Sequence, residues 1–470
     1  MSYSINSHGA HIVHCCLYFS WIIFFSYMSG ALGGHNVNEK PDPWVTYGTL
    51  LTCVLMLLRF VSFSTLPQTL FTLIGLVRFN AFPPNVTLKD SLLNSPFLCV
   101  RVVTRGLYPQ LVKKTVEENM SIIKSVGVND FMIEVVTDTK IGLQENTHLR
   151  EIVVPSSYIT KSGALNKARA LQYCLEDDVN NLEDHMWIVH LDEETLLTPN
   201  SVKGILKFTR NGQHDFGQGL IIYARNPPRL KTTWDTIQNR ICTVADSFRV
   251  SDDMGKLRCQ LKIFNKPLFG WKGSYVVSRV GSERRVGFDN GPEGSKAEDC
   301  YFGILAMSQG YSFDFIEGEM LEKSPFTFLD FFRQRKRWMQ GIYLVVTSSK
   351  ISFRARIILG ISLFSWLTMP LSASNIFLSA IFPMSISPLA DSVLAFLGAN
   401  GLYMYFYGFL KQYPIRRYSL ARLLLFIPEI LIASTVSIIA ENIAILSIWS
   451  GDWYGFYIVQ KETCDEDFEV

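Results

Sequence analysis

The apolar residues of this chain collect at its two ends in runs of about 20 residues or more, the length a helix needs to cross a bilayer. That distribution limits the fold before any motif is considered. At the N-terminal end His11 to Ala31 is apolar and aromatic, and Trp44 to Phe63 is a second run carrying only Arg59. At the C-terminal end Ile357 to Phe382, Leu389 to Leu410 and Leu420 to Trp449 are separated by short polar connectors. With 48% hydrophobic residues over 470 positions, the chain is too apolar for an ordinary soluble protein and too long for one small domain. The first run has no basic segment before it and is too long and aromatic for a cleaved signal peptide, so it is expected to remain as an anchor. The expected organisation is a membrane region over 1–80 with two transmembrane helices, a soluble domain over 95–345, a second membrane region over 350–450 with about three spans, and an acidic tail over 451–470.

Charge and cysteine usage set the compartment. The connectors Lys350 to Arg356 and Lys411 to Arg417 are basic, and the positive-inside rule places both, with the middle of the chain, in the cytosol. The sequons Asn85-Val86-Thr87 and Asn119-Met120-Ser121 would then be out of reach of lumenal glycosylation. Nine scattered cysteines with no C-x-x-C suit reduced thiols, and a net charge of +2 gives no reason to expect nucleic acid as a partner. Glu429 and Glu441 fall inside the last apolar run. They imply either a cavity used by substrate or a run that is partly interfacial or re-entrant.

Between the ends, Phe97 to Thr104, Phe131 to Thr137, Glu151 to Val154, Met186 to Leu191 and Gly219 to Tyr223 read as short buried strands. Helical patterns over Leu111 to Val126 and Gly163 to Leu175 lie between them. Such alternation predicts an α/β domain with a mostly parallel, Rossmann-like sheet covered on both faces. Ligands in such sheets sit beyond the carboxyl ends of the strands. Three of those ends carry polar chemistry: Thr104-Arg105-Gly106, Thr137-Asp138 and Asp192-Glu193-Glu194. Asp192 and Glu194, one residue apart, supply the hard oxygen ligands that let a divalent cation hold a diphosphate.

Four segments in order now resemble the membrane-embedded inverting family 2 glycosyltransferases, which include cellulose, chitin and hyaluronan synthases. They are Asp138, the segment Lys161-Ser162-Gly163-Ala164-Leu165-Asn166-Lys167, Asp192-Glu193-Glu194, and Glu298-Asp299 followed by Gln334-Arg335-Lys336-Arg337-Trp338. The stretches Arg101 to Gly106, Ile188 to Glu194 and Gly270-Trp271-Lys272-Gly273-Ser274-Tyr275 are further similar to the invertebrate egghead-type β-1,4-mannosyltransferases. The resemblance implies a GT-A-type catalytic domain flanked by transmembrane helices. It implies mannose transfer from GDP-mannose to glucosylceramide in the membrane of the endoplasmic reticulum or Golgi, with the catalytic domain in the cytosol and Mg²⁺ or Mn²⁺ as cofactor.

The same resemblance assigns roles. Asp138 is expected to contact the donor nucleoside, and Lys161 or Asn166 its phosphate or base. Asp192 and Glu194 are the expected metal ligands, with Glu193 an alternative to Glu194. Inversion needs one carboxylate to take the acceptor proton, and Asp299 is the candidate base by its motif position, with Glu298 its competitor. Such a base is worth ~10²–10⁴ in rate. Gln334 and Arg337 share a helix face, and Arg337 is placed to hold donor phosphate by charge-assisted bonds. Trp338 and Trp271 are expected at the acceptor. The same basic-aromatic helix also reads as an anchor at the lipid headgroups.

Two other functions compete. A processive polysaccharide synthase using a UDP-sugar would need a channel of more spans than about five. A non-catalytic transporter or scaffold would have lost Asp192, Asp299 or Arg337, and all are present. Three C-terminal spans put the tail in the lumen. However, Phe456 to Lys461 resembles a segment that in related synthases returns to the cytosolic site, which requires an even number of crossings, as by a re-entrant pair around Pro428.

Overall fold

A computed structural model describes residues 6–31, 41–88, 91–92, 95–224, 232–413, 420–455, 457 and 459–460. Residues 414–417 of the basic connector, Phe456, Ile458 and the tail from Lys461 onward lie outside the described residues. The chain divides into two compact units. One comprises Met1–Pro84, Ser247–Cys259 and Gly360–Leu446; the other comprises Asn85–Asp246, Gln260–Leu359 and Ser447–Val470.

The second unit is built on one seven-stranded sheet. Its strands are β1 (Leu98–Thr104), β2 (Phe131–Thr137), β3 (Leu149–Val153), β4 (Trp187–Asp192), β5 (Phe216–Ile222), β6 (Val276–Arg279) and β7 (Phe313–Leu321), in the order β3-β2-β1-β4-β6-β5-β7. Strands β3, β2, β1 and β4 run parallel, β6 is antiparallel to both its neighbours, and β5 and β7 are parallel. The parallel strands are Val- and Ile-rich and buried on both faces, as a sheet covered by helices requires: Val100, Val102, Ile133, Val135, Ile188 and Leu191 are all buried. Register aligns their carboxyl ends. Thr104 pairs with Thr137, and Val103 with Asp192, so the polar ends of β1, β2 and β4 stand at one level.

The five expected strands are present, shifted by a few residues at most ends, and two more complete the sheet. Strand β6 is only four residues long and follows the Gly270–Gly273 loop. Strand β7 carries Asp314, Glu317 and Glu319 and a positive-φ Gly318, which hide its apolar alternation. Strand β5 begins at Phe216, since its Gly217 and Gly219 resemble a turn in sequence but are needed where Ile316 and Tyr275 press on the backbone.

One buried cluster within the sheet is charged. Arg101 on β1 binds Glu134 on β2 at 2.8 Å and reaches Glu283 at 3.5 Å, and Glu283 contacts His190 on β4 at 2.6 Å. Burial opposes the charge on Glu134 and Glu283, but Arg101 and His190 outweigh it and hold both carboxyls below the usual range. Asn119, the second sequon, is also buried: its amide donates to Thr195 O at 3.0 Å and its Oδ1 accepts from Leu197 N at 2.8 Å, tying the Pro109–Val126 helix to the turn after β4.

The first unit is helical. Among the described residues, four helical stretches are long and apolar enough to cross a membrane: Ser7–Met28, Gly48–Arg78, Pro388–Gln412 and Leu424–Leu446. A fifth crossing results if the bent pair Phe353–Leu367 and Met369–Ile381, which turns by 45°, forms one span. The second N-terminal run is longer than its apolar core suggests, because a short 3-10 turn at Ser62–Thr65 leads straight into the Leu66–Arg78 helix with Pro67 in its first turn, where proline is tolerated. The re-entrant pair expected around Pro428 is not formed: Leu420–Leu446 is one helix with Pro428 inside it. The break falls instead at Thr368, before Pro370. Ser247–Cys259, expected in the soluble domain, packs among these helices. A Cβ on Gly75 would lie 1.9 Å from Gly255 O, so only glycine permits that approach.

Arg101→Met leaves Glu134 and Glu283 buried beside an apolar group and should cost about 3–5 kcal/mol. A large fall in the melting temperature of the detergent-solubilised protein would show this. A shift under about 2 °C, the scale of less than 1 kcal/mol in a domain this size, would contradict it.

Candidate active site

Lys167 is the hub of the polar strand ends. It lies in the first turn of the Asn166–Tyr173 helix, and its ammonium donates to Asp192 Oδ1 at 2.6 Å and to Gly273 O at 3.3 Å, with Glu298 Oε1 at 3.7 Å. Burial opposes its charge, but Asp192 and Glu298 outweigh this and hold its pKa above the ordinary lysine value. Neighbouring Asn166 takes a left-handed conformation, φ 51°, one of the few residue types that tolerate it. Lys161, by contrast, is exposed on the preceding loop. The lysine that meets the carboxylates is therefore the last of the Lys161 to Lys167 segment; the register of the helix start, invisible in the motif, decides which one turns inward.

Glu298 and Asp299 open the Glu298–Ser308 helix. The N-terminal turn favours negative charge, yet burial dominates. Burial and the adjacent Asp299 push Glu298 up to about 7. Burial also raises Asp299, against the backbone N–H of Cys300, which donates to its Oδ1 at 2.7 Å, and against Lys167. Both therefore have raised proton affinity, the property a general base needs. A narrow open cleft is lined by Lys167, Glu298, Asp299, Gly273, Trp271 and His190.

The Phe328–Thr347 helix supplies the remaining charge. Gly341 lets it approach, since a Cβ there would lie 2.6 Å from the Cβ of Ala297, immediately before Glu298. One turn earlier, half-buried Arg337 experiences Glu298, Asp192, Asp299 and Glu194 together, and its pKa is lowered by burial despite them. Its Nη1 donates to Tyr457 O at 3.2 Å. Tyr457 in turn donates its hydroxyl to Asp330 and stacks under Arg333 at 4.8 Å. The segment after the last apolar helix thus lies along this helix: Lys296 donates to Asp452 O and Trp453 O at 3.0 and 2.9 Å, and Gln340 to Ile448 O at 2.8 Å. Burial lowers Lys296 to about 8. Gln334 is half-buried, with its Oε1 lacking a hydrogen-bond partner among the described residues. Arg335, to which the sequence assigned nothing, is the structural arginine of this motif. It binds buried Asp246 at 2.6 Å and covers the Trp338 ring at 4.5 Å.

Other expected residues are placed as follows. Asp138 ends β2 and is held by Arg169 at 2.6 Å and Arg105 at 3.7 Å. Glu193 turns inward, is buried, and accepts from Thr104 Oγ1. Glu194 is partly exposed, as is Asp192 at 34%. Trp271, expected at the acceptor, lines the cleft but is deeply packed. Only 5% exposed, it packs edge-on to Phe313 at 4.9 Å and over Gly303, bracing the loop whose Gly273 meets Lys167.

Among the described residues, no group of three or more His, Cys, Asp or Glu side chains forms a closed metal centre. Asp192 and Glu194 are partly exposed carboxylates, oxygen donors of the kind that Mg²⁺ or Mn²⁺ would take together with substrate phosphates and water, and Asp192 Oδ1 is held by Lys167.

A mostly parallel sheet with acids and fixed cations beyond its carboxyl ends, in a chain that also has helices long and apolar enough to cross a membrane, is the arrangement expected of a GT-A-type glycosyltransferase with membrane helices. Residues 187–411 match the family described as Glycosyl transferase family group 2. The chain is 52% identical to Beta-1,4-mannosyltransferase egh of Drosophila melanogaster over 459 residues, 97% of this chain and 98% of that one. It is 50% identical to Beta-1,4-mannosyltransferase bre-3 of Caenorhabditis elegans over 460 residues, 97% and 99% of the two chains. Among solved structures, the mannosyltransferase PcManGT of Pyrobaculum calidifontis, in complex with GDP-Man and Mn²⁺, aligns with 84% of this chain and 99% of its own at 14% identity and TM-score 0.45. The protein belongs to the β-1,4-mannosyltransferases of glycosyltransferase family 2, and its sheet is of the GT-A type.

Lys167→Met should lower transfer by ~10²–10³, the usual cost of removing one fixed charge donor from such a site. Exposed Lys161→Met should leave it within about twofold. Equal losses in the two variants, measured as initial rates, would refute the placement of Lys167 at the hub.

Proposed function

We propose that this enzyme transfers mannose from GDP-mannose, with inversion, in β-1,4 linkage to glucosylceramide at the cytosolic face of the endoplasmic reticulum or Golgi. The observation that carries this reading is the convergence on Lys167 of Asp192 at one strand end and the buried acids of the Glu298–Ser308 helix. The names of the half-identical relatives support the sugar and linkage. The long apolar helices support a lipid acceptor.

In this reading Asp299 takes the acceptor hydroxyl proton as that oxygen attacks the anomeric carbon, and GDP departs from the opposite face. Burial raises the proton affinity of Asp299 and so favours that transfer. Arg337 and Lys167 offset the charge that builds on the diphosphate. Asp192 and Glu194 would hold Mg²⁺ or Mn²⁺, Glu193 being committed to Thr104. The metal would act as a Lewis acid on the leaving group. Asp138, fixed by Arg169, serves the nucleoside, with Asn166 and Gln334 on the donor side and Trp338 offering a ring to the acceptor.

Membranes carrying wild-type protein, given radiolabelled GDP-mannose and glucosylceramide, should form a mannosylated lipid. UDP-sugars should give none. Asp299→Asn should reduce the product ~10²–10⁴-fold. Equal transfer by wild type and variant would remove Asp299 as the base, and a preference for a UDP-sugar would overturn the donor.

A further inference from the structure

The helical unit contains a polar seam that the catalytic chemistry leaves unused. On the Leu420–Leu446 helix, buried Ser434 and Ser437 and partly exposed Glu441 follow at spacings of three and four, and so share one face. Trp366, two residues before the break at Thr368, donates its indole N–H to Glu441 Oε2. Beside it, buried Ser365 accepts from Gln68 Nε2 at 2.6 Å. Gln68 Oε1 accepts from Lys256 Nζ at 3.3 Å, and Lys256 pairs with Asp252 at 3.0 Å. Lys256 stands on a single π-helical turn, Asp253–Leu257, a distortion frequent at functional positions. Asn442 Oδ1 and Ser372 Oγ are enclosed with no hydrogen-bond partner among the described residues.

A carboxylate within an apolar span is costly and marks a functional position by default. Helix adhesion alone would be served by the serines and the glutamine, without a charge. The chemistry also selects a ligand. The Glu441 carboxylate accepts from hydroxyl or amide donors and repels phosphate, and an indole offers an apolar face to a sugar ring. A neutral, hydroxyl-rich lipid headgroup meets both conditions, whereas a phospholipid headgroup fails the first.

We infer that the Glu441–Trp366 seam is a holding site for the sugar-bearing head of the glycolipid, occupied before that head moves on to the acceptor position at Asp299. The inference rests on the lipid acceptor proposed above, so the test reads binding rather than transfer. Full-length protein in nanodiscs is irradiated with a diazirine-bearing glucosylceramide and the label is mapped by mass spectrometry. Label is expected on the Phe353–Leu367 and Leu420–Leu446 helices, displaced by excess glucosylceramide and not by phosphatidylcholine. Glu441→Gln and Trp366→Phe should each reduce it by about tenfold, as for loss of a charge-assisted hydrogen bond. Label elsewhere, or unchanged in both variants, overturns the seam as a headgroup site. Loss of label that tracks a fall in melting temperature also overturns it, since it makes the pair helix adhesion. Displaceable label without any mannose transfer sinks the acceptor proposed for catalysis and leaves the headgroup site standing.

Discussion

The site depends on one ammonium group placed among carboxylates. Asp192 comes from a strand end, Glu298 and Asp299 from a helix N-terminus more than a hundred positions later, and gathering these carboxylates, with buried Glu298 among them, is unfavourable without a cation. Lys167 at 2.6 Å from Asp192 makes the arrangement affordable. It also bonds the Gly273 carbonyl, so the loop between two parts of the sheet is located by the same group. Arg337 adds a second, half-buried cation from the Phe328–Thr347 helix, whose closeness Gly341 permits.

What was legible in the sequence followed from periodicity and order. Parallel strands buried on both faces read as continuous Val and Ile runs, so β1, β2 and β4 and their polar ends were visible. Strands β6 and β7 were not, because an edge-like, acidic or very short strand has no such signature. Motif spacing located the segment containing Lys167 but not the turn that aims it inward while Lys161 remains outside. It marked Arg337 yet passed over Arg335, whose bond to Asp246 is a tertiary contact across 89 positions. Trp271 shows another limit: an aromatic between glycines suggests a binding loop, and only Phe313 and Gly303 show how deeply this cleft-lining ring is packed.

The apolar helices teach a related lesson about proline. Pro428 suggested a reversal, but within an apolar span the chain keeps its remaining backbone bonds and the helix continues. The true break at Thr368 falls beside Trp366, Ser365 and Pro370. There, polar side chains sit close to where regular backbone bonding is interrupted, and that is where a membrane helix departs from regularity at least cost.

The excursion of Ser247–Cys259 into the helical unit bears on how this enzyme can be divided. The catalytic sheet is interrupted in sequence by a segment whose packing surface belongs to other helices, with Gly255 seated against Gly75. A fragment trimmed to the soluble-looking stretch would therefore carry that segment without its cover, exposing apolar surface of the kind that drives aggregation. The segment itself ties the timing of synthesis to the fold: it cannot reach its packed state until helices from both ends of the chain have been made.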